Sequence, residues 1–157
     1  MSFRTIPLTK GKFTTVDEAD YANLTTNKWC CQSPGYAARR RNKKLEFMHR
    51  VIMDAGPGEQ VDHINGDKLD NRRSNLRIVN YSQNNMNKGL QSNNTSGYKG
   101  VSRKKDSGRW HAYIWKNSKR INIGYFKCKH EAARKYNEYA LVIHGEYAKL
   151  NDIKEDE

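Results

Sequence analysis

The chain has 157 residues, with 29 Lys+Arg against 17 Asp+Glu and a formal net charge of +12 when its five histidines are neutral. That length allows one ordinary domain or two small ones, because a lone core below about 70–80 residues is marginal. Only 36 % of the residues are hydrophobic, and no stretch approaches the roughly 18 consecutive apolar residues of a membrane span. Met1–Lys10 has no signal-peptide apolar region, so neither a transmembrane nor a secreted protein is expected. The cysteines, Cys30, Cys31 and Cys128, are odd in number and form no Cys-x-x-Cys pair. A reducing compartment is expected, not a disulfide scaffold or a zinc ribbon. The surplus positive charge points to a polyanion, nucleic acid before anionic membrane. A solvated basic surface would have the same composition.

In chain order, Ile6–Leu8 and Lys12–Val16 read as strands. Thr15-Val16-Asp17-Glu18 has the shape of a capping box and predicts a short helix over Asp17–Leu24. Trp29–Gln32 and Tyr36–Arg40 read as a hairpin around Ser33-Pro34-Gly35. Leu45–Met53 is a further ordered segment, and Gly56-Pro57-Gly58 breaks the chain without phosphate-loop spacing. Arg39-Arg40-Arg41-Asn42-Lys43-Lys44 reads as a basic hairpin, equally able to touch phosphate or to stand solvated.

The run Asn87–Gly97, rich in Asn, Ser, Thr and Gly, reads as a linker. Residues 1–90 carry +6, residues 91–150 carry +9 and the last seven carry −3. Beyond the linker, Tyr98–Arg103, Arg109–Trp115 and Arg120–Phe126 are aromatic and β-branched runs at hairpin separations. Glu131–Ile143 has Ala132, Ala133, Tyr136, Ala140 and Ile143 at helical spacing, and Gly145 is a stop. Three strands and one helix make a small α+β module.

Residues 61–87 hold the chemistry. Asp62 puts a hard oxygen ligand beside His63, which titrates near neutrality. Asn65-Gly66 is a turn signal, Leu76–Val79 a return strand, and Ser82 a candidate N-cap for a helix carrying Asn84 in its first turn. One carboxylate, one amide oxygen and further oxygens suit Mg²⁺. Phosphodiester cleavage needs an activated water and charge neutralisation, which a histidine base and a hard cation supply. Strand alternation would point Asp62 and His63 opposite ways, against a shared site unless the backbone bends there.

Asp62-His63, Asn71-Arg72-Arg73-Ser74-Asn75-Leu76 and Asn84 together resemble the ββα-metal (His-Me finger) core of HNH endonucleases, most closely the phage and intron-encoded homing type. The resemblance implies His63 as general base, Asp62 and Asn84 as ligands of one Mg²⁺ or Mn²⁺ per site, and Asn75 as the residue that holds the loop and orients His63. Met48-His49-Arg50 matches a His-Arg often found just upstream in that family and implies a supporting role. Asn84 stands where the broader superfamily more often has histidine, which favours Mg²⁺ over Zn²⁺.

In Arg109–Trp115, alternation sets Trp110, Ala112 and Ile114 toward the helix and Arg109, His111, Tyr113 and Trp115 toward a partner. Lys99, Arg103, Lys105, Arg109, Trp115 and Arg120 are the expected DNA-binding residues, because a three-stranded sheet can enter a major groove. Tyr98-Lys99-Gly100-Val101, Gly108-Arg109-Trp110, Ile123-Gly124-Tyr125-Phe126, Glu131-Ala132-Ala133 and Ala148-Lys149-Leu150-Asn151 resemble the plant ethylene-response-factor DNA-binding domain. Ser102, Tyr113, Trp115 and Asn122 replace groove-facing residues of that domain, so its target sequence is not expected to carry over.

The expected organisation is an α+β chain: an HNH nuclease domain at 1–90, a linker at 91–97, an ethylene-response-factor-like domain at 98–151 and an acidic tail at 152–157. The expected activity is metal-dependent hydrolysis of duplex DNA inside a phage or prokaryotic host cell, in the cytoplasm, with no small-molecule cofactor. Monomer and dimer stay open. The rival readings are a non-catalytic DNA-binding regulator that kept the fold and an RNA-binding basic protein.

Overall fold

The computed structural model describes residues 2–153, so Glu155–Glu157 of the expected acidic tail lie outside the described residues. Packing divides the chain into two compact units that meet at Asn84/Asn85. Each is a mixture of short antiparallel sheets and helices, as expected of an α+β chain. Among the described residues no helix is long and apolar enough to cross a membrane.

The first unit opens with a ribbon of β1 (Phe3–Pro7) and β2 (Phe13–Asp17), with Ile6 opposite Thr14 and Arg4 opposite Val16. Helix α1 (Glu18–Thr25) follows directly. Its expected capping box does not form. Thr15 is held within β2, Asp17 is the N-cap without a side-chain cap bond, and the Glu18 carboxylate accepts from Arg4 Nε at 2.8 Å. The Asp17 carboxylate instead accepts the Arg73 backbone N–H at 2.8 Å.

Strands β3 (Cys30–Gln32), β4 (Tyr36–Arg41) and β5 (Lys44–Phe47) form an antiparallel sheet in that order. The expected segment Leu45–Met53 divides between β5 and α2 (Met48–Ile52). Val16, Leu24, Trp29, Ala37, Met48, Ile52 and Leu76 make the core of this unit, with the Trp29 indole donating to Leu24 O at 2.8 Å. Burying each of the larger aliphatic side chains stabilises by about 1.5–3 kcal/mol.

Next, β6 (Gln60–His63) pairs antiparallel with β7 (Leu76–Val79), and α3 (Tyr81–Asn87) follows. The helix starts one residue ahead of Ser82. Asn80 and Gln83 exchange backbone N–H to side-chain oxygen bonds, each 2.9 Å, which is the reciprocal capping arrangement.

In the second unit, β8 (Val101–Arg103), β9 (Trp110–Lys116) and β10 (Lys119–Phe126) form an antiparallel sheet with β9 central. Helix α4 (Lys129–His144) covers one face, with Ala132 and Ala133 against Val101 and Ala112, and Tyr136 and Ala140 against Ile114. Gly145 ends it at φ +55°. The first strand is shorter than the expected Tyr98–Arg103, because Gly100 turns the chain at φ +70°. A Cβ there would stand 2.2 Å from the Tyr136 ring and 2.5 Å from Tyr113 O, so this position requires glycine. Just ahead of it Ser96 Oγ donates to Val101 O at 2.8 Å, and Asn94 Nδ2 to Tyr98 O at 2.9 Å.

Candidate active site and nucleic-acid interface

Residues 64–75, between β6 and β7, are ordered by short polar side chains. Asn65 N–H donates to Asn75 Oδ1 at 3.0 Å, and Asn75 Nδ2 donates to Asp70 O at 2.8 Å. Asn65 Nδ2 reaches Asp70 Oδ2 at 3.0 Å, and Arg72 grips the same carboxylate at 2.7 and 2.8 Å. That pairing with Arg72 holds the Asp70 carboxyl below its usual range. The loop is tied to β2 by Thr15 N–H to Leu69 O and Asn71 N–H to Thr15 O, both 2.8 Å.

His63 ends β6 and is 4 % exposed. Its Nε2 lies 3.2 Å from Asn71 Oδ1. The orientation of Asn71 is set by its other end, since Nδ2 donates to Thr14 Oγ1 at 2.7 Å and that hydroxyl donates to Leu69 O at 2.7 Å. The Asn71 oxygen therefore accepts from Nε2–H, which makes Nδ1 the basic nitrogen of His63. Burial pushes the His63 pKa down, and the Asn71 bond with the charges of Asp62, Asp67 and Asp70 opposes it. The net effect of burial is to favour the neutral ring.

The resemblance implied that Asn75 both holds the loop and orients His63. In the structure Asn75 bonds the loop backbone, and Asn71, 0 % exposed, meets the imidazole. The signal was present, since Asn71 opens the Asn-Arg-x-x-Asn run. Its partner Thr14 lies 57 residues away, out of reach of any local pattern.

Asp62 and His63 go separate ways along an extended β6. Asp62 stands opposite Arg77, whose Nη2 and Nε reach Oδ2 at 3.0 and 3.2 Å. Asn84 in α3 donates through Nδ2 to Gln60 Oε1 at 2.6 Å. Gln60 is two residues before Asp62 on one strand, so both side chains leave the same face. The hairpin and α3 thus bring Asn84 to the Asp62 side of the ribbon.

Among the described residues no group of three or more His, Cys, Asp or Glu is placed to hold a metal. The carboxylate of Asp62 with the amide oxygen of Asn84 is a hard, sparse donor set, which fits an ion that keeps most of its waters. Arg77 already pairs with the Asp62 carboxylate and compensates its negative charge.

The His49-Arg50 pair supports this region. Arg50 donates to Ala55 O at 3.1 Å, to Gly56 O at 2.8 Å and to Glu59 O, closing the turn that feeds β6. His49 packs with its ring centroid 5.6 Å from Phe47 and 5.1 Å from His63. Burial, His63 and Arg50 drive its pKa down to about 4.

In the second unit the expected faces of β9 are observed: Ala112 and Ile114 are buried under α4, with Trp110 packed beside them, and Trp115 is 55 % exposed. His111 lies on the partner face but is buried. It stacks 4.7 Å from Tyr125 and hydrogen-bonds Asn122 at 2.8 Å. Arg120 sits 5.6 Å over Tyr113 and Arg103 5.9 Å over Trp110, with Arg103 Nε also 3.4 Å from Gly108 O. Lys105 and Arg109 are exposed, and Lys104, Asp106, Ser107, Arg109 and Tyr125 line a shallow open depression.

Lys99 is different. Its ammonium donates to Met86 O at 2.5 Å and Lys88 O at 2.6 Å, at the C-terminal end of α3. Burial and Lys149 lower its pKa to about 8. This cation is committed to backbone carbonyls and caps a helix instead of standing out from the sheet. Its backbone is clamped by Asn151, with N–H to Oδ1 at 2.7 Å and Nδ2 to O at 3.1 Å.

Comparison with known proteins agrees with this division. Residues 46–86 match the HNH endonuclease family model, and residues 96–146 match the AP2 domain model. An uncharacterised HNH endonuclease of Acanthamoeba polyphaga mimivirus is 32 % identical over 149 residues, covering 92 % of this chain and 77 % of the viral protein. An AP2-like ethylene-responsive transcription factor of Arabidopsis thaliana is 36 % identical over 66 residues, 40 % of this chain. An ethylene-responsive transcription factor of Medicago truncatula is 32 % identical over 87 residues, 54 % of this chain. The chain spans only 14 % and 32 % of these two plant proteins. No solved structure matches the chain. By these matches the hairpin unit is of nuclease type and the sheet-and-helix unit of DNA-binding type. The chain belongs to the HNH endonuclease family and carries an AP2-type DNA-binding domain.

Proposed function

We propose that the chain is a divalent-metal-dependent endonuclease of duplex DNA with a homing-type site, in which the first unit cuts and the sheet of the second selects where. The observation that carries this reading is His63, buried at the end of β6 with Nε2 3.2 Å from Asn71 Oδ1, which makes Nδ1 its basic nitrogen. HNH nucleases are typically dependent on a divalent metal, and Asp62 and Asn84 would hold one Mg²⁺ or Mn²⁺ per site. That ion supplies neutralisation of negative charge on the scissile phosphate and the 3′ oxygen.

The chain's own groups do the rest. His63 Nδ1 takes a proton from the attacking water as its oxygen bonds to phosphorus and the bond to the 3′ oxygen breaks. Asn71 and Thr14 fix the ring so that this nitrogen, and not Nε2, is the base. Asn75 keeps the loop closed on the site. On the sheet, Arg103, Lys105, Arg109, Trp115 and Arg120 meet the duplex, and Lys99 serves as the cap of α3. Such a substrate implies an intracellular site of action.

The test is nicking of supercoiled plasmid with Mg²⁺. Cleavage that disappears on chelation and in His63→Ala supports the reading. Cleavage unchanged by either removes it, and tight duplex binding with no nicking of any sequence favours a non-catalytic regulator.

A further inference from the structure

The β4–β5 hairpin carries a charge pattern that neither the candidate active site nor the sheet uses. Its two-residue turn, Asn42-Lys43, has φ of 49° and 63°, the left-handed pair that matches the twist of tightly joined strands. At its base Arg39 faces Glu46, with Nε to Oε2 at 2.8 Å, and lies 4.8 Å over the Trp29 ring. Only 10 % of the Arg39 side chain is exposed. Glu46, the acid of this hairpin, is thereby consumed.

Beyond that brace Arg40, Arg41, Lys43 and Lys44 are all exposed, and residues 40–45 contain no acid. Arg41 and Lys44 stand directly opposite each other. Like charges at facing positions destabilise a strand pair, so this pattern works against the hairpin it sits on. A rigid base, a preset turn and a tip that repels itself fit a partner dense in negative charge.

We propose that the tip of the β4–β5 hairpin is a phosphate-backbone contact for duplex DNA, supplied by the nuclease unit and separate from the sheet. This rests on the reading of duplex DNA as substrate. The tip has no aromatic side chain on which unpaired bases could stack. Leu45 is its single apolar residue, too little for insertion into a lipid surface. Phosphate contacts position a protein without reading sequence, so the hairpin would hold the cutting unit on the helix while the sheet chooses the site.

The experiment measures affinity of the full chain for a random-sequence duplex between 50 and 200 mM salt. Each phosphate contact contributes about 0.9 to the log–log salt slope. The variant Arg40→Gln/Arg41→Gln/Lys43→Gln/Lys44→Gln is expected to flatten that slope by about 3–4. A second variant separates contact from scaffold. Arg41→Glu turns the facing pair attractive, so the thermal midpoint rises while duplex affinity falls, opposite signs that a structural role cannot produce. An unchanged slope in the quadruple variant, or an Arg41→Glu chain that keeps its affinity, overturns the hairpin contact and leaves the duplex reading standing. A wild-type chain without salt-dependent duplex affinity, or one that prefers an RNA duplex of the same sequence, overturns both.

Discussion

The two units solve the same problem, holding a small sheet in place, with different materials. In the first, the loop that borders the candidate site is held by buried polar side chains, among them Thr14, Asn71 and Asn75. In the second, the sheet is held by alanines and aliphatics packed under α4. Polar networks are directional and leave a costly unpaired group when one member is lost. Apolar packing tolerates chemistry and punishes volume. The loop of the first unit is therefore specified by hydrogen-bond partners and the sheet of the second by shape, and that contrast tells where each should break.

The largest effect is expected at His63. If it is the base, His63→Ala lowers the nicking rate by about 10²–10⁴ while duplex affinity stays near wild type, as single-turnover cleavage beside a binding titration will report. Loss of affinity in proportion to rate would make His63 a packing residue instead. In the second unit the corresponding blow is Gly100→Ala. It places a methyl against the Tyr136 ring and Tyr113 O at a left-handed φ, for a cost of about 2–4 kcal/mol. Urea unfolding measures it, and a cost below 0.5 kcal/mol would show that α4 yields more readily than its packing implies.

Acid should separate the units next. His49 is held neutral by burial, with His63 and Arg50 adding to the effect, and its folded pKa is about 4 against 6.5 for the free side chain. A base whose pKa is depressed on folding binds its proton more readily when unfolded. It contributes nothing above the unfolded value. Stability falls as pH drops from about 6.5 toward 4, by on the order of 2–3 kcal/mol. His63 shifts in the same direction. In the second unit His144 is also lowered by burial, opposed by its bond to Trp115 O. Unfolding of wild type against His49→Phe, followed from pH 7 to 4, should show the variant less acid-sensitive. Equal acid sensitivity would remove His49 as the cause.

Much of this was legible in the sequence, for reasons that differ by region. The hairpins at β3–β4, β6–β7 and β9–β10 were readable because period-two patterning and turn residues are local properties. The pairing of Asn71 with His63 was not, because it depends on Thr14, far away in the chain. Lys99 looked like a phosphate contact beside a strand, yet its environment is made by α3 and Asn151, 52 residues on. The helix cap at Asn80 lay two residues ahead of the serine that suggested it. Where a role depends on neighbours within a turn or a hairpin, sequence carries it; where it depends on closure of a loop onto another element, it does not.

The smallest predicted effect probes the edge of the polar network, where Asp62 faces Arg77. In the chain alone the guanidinium lies 3.0 Å from the carboxylate that the proposed function assigns to a metal ion. Two cations then compete for one anionic group, and at protein-surface dielectrics charges a few ångströms apart interact by a few kcal/mol. Removing one of them should favour the other. Arg77→Gln keeps a hydrogen-bond donor toward Asp62 while removing the charge, and Mn²⁺ affinity in the absence of DNA is expected to tighten about tenfold, or 1.4 kcal/mol. Electron paramagnetic resonance of free Mn²⁺ reads this without any cleavage. If affinity weakens instead, Arg77 orients Asp62 for the ion and does not stand in for it, and the same arginine belongs to the scaffold of the site.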